Sequence, residues 1–250
     1  AIAYAALSKG DLVTAEGVFK ETIKIDPKSA EPYIGLAEVA LHRQQGKLVE
    51  SMLAKAMETD PKNQSAVRAL GRYYFRLQNF DKAESSFKQA LALNPEAPRL
   101  HVDLGDTYLN GLNRPDAAVK AYKAAIKLKD DHVIARIGLA ASLAVQGNIQ
   151  QAIEEYNIAA DFAPENPLPL HLLGRLYASQ ARFDDSLSVL NSLLQKSPNY
   201  IPALLERGNV HFANNGIILA KRDYDKVIEL SEEDRSKINE APFDLNEYKN

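Results

Sequence analysis

Three arginines, Arg68, Arg72 and Arg76, follow one another at intervals of four residues. On a helix that spacing stacks them on one face. Like charges there cost a few tenths of a kcal/mol per pair, so something must offset the repulsion. The planar fork of arginine suits carboxylates, which makes the stripe a candidate site for an anion or an acidic peptide. A structural alternative is a ladder of ion pairs, because Glu38, Arg72 and Asp106 recur every 34 residues. The two readings are compatible. Other chemistry is poorly supplied. There is no glycine-rich phosphate loop, dinucleotide fingerprint, nucleophile elbow or H-E-x-x-H zinc motif. His42, His101, His132, His171 and His211 are scattered, with no two at ligand spacing on one helix, so no metal site is expected. The carboxylate pairs Glu154–Glu155 and Asp184–Asp185 read as solvated surface. Asn63-Gln64-Ser65 fits a glycosylation sequon, which matters only in a secretory pathway. No catalytic residue and no cofactor is expected.

Composition agrees. The hydrophobic share is 46% and the charged share 25%, a soluble globular balance. A net charge of −3 implies no broad surface for nucleic acid or anionic lipid. The chain has no cysteine, which excludes disulfides, thiolate metal sites and a cysteine nucleophile. No apolar run approaches the roughly 18 residues of a spanning helix. The chain starts at Ala1 inside a helical pattern, which reads as a piece of a longer parent.

The elements that carry the arginines follow from a repeat. Helix-ending punctuation falls at Pro27, Pro61, Pro95, Asp130, Pro164, Pro198 and Glu232, at intervals of 34 residues with a single 35. The extra residue is expected in the turn from Asn110 to Pro115. Ser29, Asn63 and Asn166 read as N-caps. Eight residues into each period comes a small side chain: Ala3, Ala37, Gly71, Gly105, Ala140, Gly174 and Gly208. A second small position holds Ala15, Ala83, Ala118, Ala152, Ser186 and Ala220, with Val49 as exception. Four residues later comes a large one: Phe19, Leu53, Phe87, Tyr122, Tyr156, Leu190 and Tyr224. Three further on, Ala56, Ala90, Ala125 and Ala159 are small again. Spacings of three and four put these residues on one helical face.

This pattern resembles the tetratricopeptide repeat family over residues 1–232. The resemblance implies an all-α, right-handed α-solenoid of about seven helix-turn-helix units, the first truncated at its start. Residues 233–250 are expected to form a polar cap or tail, since Pro242 falls where the small residue belongs. The family's ligand contacts lie at positions 2, 5, 9, 12 and 13 of each first helix. Carried over, repeat two offers Glu38, Leu41 and His42, and repeat three offers Ser65, Arg68, Arg72, Phe75 and Arg76. Repeat five offers an apolar lining of Ile134, Ile137, Ala141, Ala144 and Val145. Repeat six offers Leu168, His171 and Arg175; repeat seven offers Leu205, Asn209 and Phe212. The groove set expected to bind a partner is therefore Arg68, Arg72, Phe75, Arg76, Ile137, Ala141, Arg175 and Asn209, with Arg72 paired to Glu38 or Asp106. The lysine and asparagine of the chaperone-binding carboxylate clamp are missing, as is the asparagine ladder of the sugar-transferring relatives. The resemblance implies a non-enzymatic protein-interaction scaffold for a peptide or helix with acidic and apolar residues. Alternatives are a scaffold part of an export, secretion or envelope-assembly complex, and the targeting arm of an enzyme whose catalytic domain lies elsewhere.

Overall fold

A computed structural model describes the backbone of residues 2–240 and the side chains of residues 2–232. Among the described residues there are fourteen α-helices, one π-helical turn and no strand. The chain divides into two compact units. Unit 1, residues 1–142, holds α1 (Ile2–Ser8), α2 (Leu12–Ile25), α3 (Glu31–His42), α4 (Gly46–Thr59), α5 (Gln64–Arg76), α6 (Phe80–Leu93), α7 (Pro98–Asp106), α8 (Pro115–Leu128) and most of α9 (Val133–Val145). Unit 2, residues 143–250, holds α10 (Ile149–Phe162), α11 (Leu168–Ser179), α12 (Phe183–Lys196), α13 (Ile201–Ala213) and α14 (Ile217–Glu240). The helices form consecutive helix-turn-helix pairs, as the repeat demands.

Local chemistry sets the joints. Within each pair the turn passes through one left-handed residue: Gly10, Gln44, Gln78, Asn113, Gly147, Ala181 and Asn215. Only two of the seven are glycine, so the other five side chains hold a strained conformation for the sake of the turn. Between pairs, Asp26, Asp60 and Asn94 accept from the N–H two residues on, at 3.1 Å in each case, and so close the turn around the proline that follows. Asn63 is the expected N-cap, its Oδ1 accepting from the N–H of Ala66 at 3.0 Å. Asn166 accepts instead from the N–H of Leu168, with Pro167 at the cap position. Ser29 is no cap; Ala30 holds the cap position of α3, without a side-chain bond. Glu232 does not end a helix either. No proline stands there, and α14 runs on to Glu240. The expected tail over 233–250 thus begins within α14, and residues 241–250 lie outside the described residues.

The small and large positions interlock. Ala15, Ala83, Ala118, Ala152 and Ser186 are fully buried. The glycines are where large side chains lie flat. A Cβ on Gly71 would stand 2.6 Å from the ring of Phe87, and one on Gly174 2.8 Å from Leu190. Tyr122 is held between two glycines: Cβ atoms on Gly105 and on Gly138 would both run into its Cε1 and Cζ. Fully burying such a side chain stabilises by about 1.5–3 kcal/mol. In unit 2, Arg207 forks onto the buried Asp223 at 2.8 and 2.5 Å and reaches Asn191 at 2.8 Å.

The extra residue of repeat four is not in the turn. It is absorbed one step earlier, where α7 widens into a π-helical turn over Thr107–Gly111. Thr107, fully buried, bonds back to the carbonyl of Asp103 at 2.7 Å, and Gly111 lets the ring of Phe80 pack against its backbone.

Candidate functional site

The face of α3, α5 and α7 in unit 1 encloses a groove of about 980 Å³. Glu38, Leu41 and His42 come from α3, Arg72, Tyr73, Phe75 and Arg76 from α5, and Asp103 and Asp106 from α7. The turn residues Gln44, Gln45 and Leu77 close its rim. Most of these residues sit at the first-helix positions that repetition brings to one side, and they reach that side because the small-large stripe occupies the other.

The arginine stripe divides. Arg68 is not a lining residue. Its Nε donates to Oδ2 of Asp103 at 2.5 Å and its Nη2 to Oδ1 at 3.2 Å, a bidentate pair with both side chains largely covered. Arg72 and Arg76 are exposed in the groove, and neither has a carboxylate at ion-pair distance among the described residues. The expected ladder of Glu38, Arg72 and Asp106 is therefore not made. The reason is that Asp106 already has a partner: the Tyr122 hydroxyl donates to its Oδ1 at 2.6 Å. The interhelix ion pair instead runs diagonally from Arg68 to Asp103, one position off register.

Glu38 and Asp106, which line the same groove, are half-buried. Burial pushes Glu38 above the ordinary carboxylate range, opposed by the charges of Arg72 and His42. Burial likewise raises Asp106, while the bond from Tyr122 opposes the shift. The site thus combines two exposed cations with two half-buried carboxylates. The apolar walls are Leu41 and Phe75, the latter edge-on to Phe80 at 5.5 Å and 71°.

The other expected groove residues lie elsewhere. Ile137 and Ala141 on α9 are half-buried and do not line this groove. In the apolar stretch of α9 only Ile134 and Val145 are open, at 62% and 60% exposure. Arg175 and Asn209 belong to unit 2. Arg175 is exposed, while Asn209 is engaged, accepting from the hydroxyl of Tyr224 at 2.8 Å. His42 is the groove's histidine; His132 caps α9 through Nδ1, 3.3 Å from the N–H of Ala135. Sequence reasoning missed Tyr73 and the turn glutamines as lining; Gln44, at the left-handed position, is the one a turn pattern could have found. Among the described residues no three histidines or carboxylates gather as a metal set.

Comparison with known proteins agrees with this architecture. Tetratricopeptide repeat profiles match residues 6–72, 65–97 and 111–167, together more than half of the chain. The chain belongs to the tetratricopeptide repeat family. It is 25% identical over 171 residues to the human protein O-mannosyl-transferase TMTC1, covering 67% of this chain but 19% of that protein. It is 24% identical over 170 residues to the type IV pilus assembly protein PilF of Pseudomonas aeruginosa, covering 67% of each. Among solved structures, a tetratricopeptide repeat protein from Parabacteroides merdae superposes with a TM-score of 0.70 at 19% identity, covering 91% of this chain and 90% of the other. Among the described residues no helix is long and apolar enough to cross a membrane.

Proposed function

We propose that the chain is a protein-interaction scaffold whose unit 1 groove grips a partner segment carrying acidic and apolar residues. One observation carries this: Arg72 and Arg76, one turn apart on α5, line a groove of about 980 Å³ beside Leu41 and Phe75, and among the described residues neither has a carboxylate at ion-pair distance. A partner's carboxylates would complete two charge-assisted hydrogen-bonding groups, each bond worth roughly 1.5–3 kcal/mol when desolvated. Its apolar residues would cover the walls. Arg68 contributes indirectly by holding α5 to α7.

The test is fluorescence anisotropy with labelled peptides that alternate leucine with glutamate or with lysine. The glutamate peptide should bind, more weakly as salt is raised, and Arg72→Glu with Arg76→Glu should abolish binding while the helical circular dichroism stays. Equal affinity for the lysine peptide, or binding unaffected by the double change, would sink the reading.

The likeness to PilF supports a narrower reading, a scaffold part of an envelope-assembly or export complex. The likeness to a mannosyl-transferase, of which the chain spans 19%, supports the reading of a targeting arm of a larger enzyme. Co-purification from the native host separates the two: a set of envelope proteins in one case, a catalytic domain on the same polypeptide in the other.

A further inference from the structure

Helices α12, α13 and α14 of unit 2 meet around an open pocket of about 510 Å³ that shares no residue with the unit 1 groove. It uses the face of α13 that carries Leu204 and Arg207, turned away from Leu205, Asn209 and Phe212, the expected ligand positions of that helix. One wall is α12, with Asn191 and Gln195 one turn apart. The other is α14, with Arg222 and Lys226 one turn apart. Leu194 and Leu204, both buried, form the floor.

Arg207 ties the two walls together. Its Nε and Nη2 donate to Asp223 on α14 at 2.8 and 2.5 Å, and its Nη1 donates to Asn191 on α12 at 2.8 Å. Asp223 is the one carboxylate among the lining residues; it is buried, and both its oxygens are taken by this fork. The charge left in the pocket is therefore that of Arg222 and Lys226. Arg222 is exposed and has no ion-pair partner among the described residues. Lys226 meets Glu229 at 2.9 Å, an exposed pair within one helix, of the kind that holds weakly in water and gives way to a better partner. On the facing wall the Oδ1 of Asn191 is engaged, so its NH₂ remains to donate, and Gln195 brings a second NH₂. Donors from three helices thus converge on a space lined by no unpaired carboxylate.

We propose that this pocket binds a phosphate monoester. A carboxylate or a phosphodiester brings one charge and two free oxygens. A monoester brings three oxygens and roughly −1.5 to −2 charges at pH 7, which matches two uncompensated cations on one wall and amide donors on the other. The fork of Arg222 takes two oxygens, the ammonium of Lys226 takes a third as a point charge, and the amides of α12 close from the opposite side. The pocket is larger than a bare phosphate, and Leu194, Leu204 and Pro198 receive the group that carries it. The inference uses none of the unit 1 residues and stands apart from the peptide reading of that groove.

The experiment is a ¹H–¹⁵N NMR titration of the whole chain with phenyl phosphate, with benzoate, and with acetyl-Leu-phosphoserine-Leu-amide. Phenyl phosphate should shift amides of α12 and α14 saturably and bind there about tenfold more tightly than benzoate, as a second charge and a third oxygen imply. Arg222→Gln with Lys226→Gln, both at the surface, should abolish those shifts and leave the rest of the spectrum in place. Glu229→Gln frees Lys226 and should strengthen phenyl phosphate, a gain that a damaged fold would not show. Arg72→Glu with Arg76→Glu should leave the α12 and α14 shifts unchanged, so failure of the unit 1 reading and failure of this one are seen separately. Tighter binding of the phosphoserine peptide than of phenyl phosphate assigns the group to a partner's side chain, and the reverse order assigns it to a small molecule; either supports the site. Absence of saturable shifts on α12 and α14, equal binding of benzoate there, or shifts that survive loss of Arg222 and Lys226 would overturn the proposal.

Discussion

Gly105→Ala adds one methyl group, and two effects compete over its sign. Alanine is the better helix former by about 1 kcal/mol, which favours the change. Against it, the new Cβ would lie 2.6 Å from Cε1 and Cζ of Tyr122 and 2.8 Å from Cδ1. Carbon atoms at rest keep about 3.5–4.0 Å, so three contacts are short by roughly 1 Å each. The ring has no room to retreat. Tyr122 is fully buried, the same carbons already abut Gly138, and its hydroxyl is fixed to Asp106 at 2.6 Å. Overpacking of this kind costs about 1–3 kcal/mol, so the clash wins and a net loss of about 1–2 kcal/mol is expected. Gly17 is the internal control. It lies within α2, and nothing stands inside 4 Å of where an added methyl group would sit, so Gly17→Ala should stabilise by about 0.5–1 kcal/mol. Urea unfolding followed by circular dichroism would measure both, and Tyr122→Leu should relieve Gly105→Ala in a double-mutant cycle. Midpoints that move in the same direction for both glycine changes, or no relief from Tyr122→Leu, would refute the clash.

Three further outcomes follow from features already described. Ala181 sits at φ 54°; Ala181→Gly should raise the urea midpoint, a gain of about 1 kcal/mol, whereas the same change at a right-handed helical alanine such as Ala178 should lower it. Arg68→Leu leaves the carboxylate of Asp103, its side chain 14% exposed, without its partner; a loss of about 1–3 kcal/mol is expected, and Asp103→Leu in the same chain should recover most of it in melts of the two variants. Burial raises the folded-state pKa of Asp106, so its contribution to stability is full below the ordinary aspartate range and is lost as pH rises through the folded value. Asp106→Asn keeps an acceptor for Tyr122, and should therefore be more stable than the parent at pH 7, with the gap closing towards pH 4; a pH-independent gap would refute the assignment.

The period of 34 residues made the helix pairs legible, because the proline joints and the small-large stripe repeat with it. Asn63 was legible as a cap because an asparagine two residues past a proline has its oxygen in reach of the new helix. Ser29 occupies the same place in sequence, yet a right-handed Ala30 takes the cap position and α3 starts a residue later, at Glu31. Glu232 was misread because a period marks where a break is due but only backbone chemistry makes one, and the run from Ser231 to Glu240 contains no proline or glycine. The arginine stripe was visible, but its pairing was not. Equal positions in successive repeats suggested Glu38, Arg72 and Asp106. Side chains that lean along a helix meet diagonally instead, so Arg68 takes Asp103 and a tyrosine from the second helix takes Asp106. That substitution is what leaves Arg72 and Arg76 open. The same tyrosine device returns in repeat seven with Asn209, and no periodicity could have told a supporting acceptor from a ligand contact there.

The π-helical turn at Thr107–Gly111 acts as a phase absorber. One residue added to an α-helix swings everything beyond it by about 100°, which would turn the buried stripe of α8 out to solvent. By widening a single turn the chain takes up that swing locally, and Ala118, Tyr122 and Ala125 stay in step with Ala83, Phe87 and Ala90. Such a turn lets a repeat array accept length variation without losing its alignment. Within the widened turn Tyr108 stays anchored, its hydroxyl donating to Glu84 at 3.1 Å, so the frame on either side is held while the added residue is taken up.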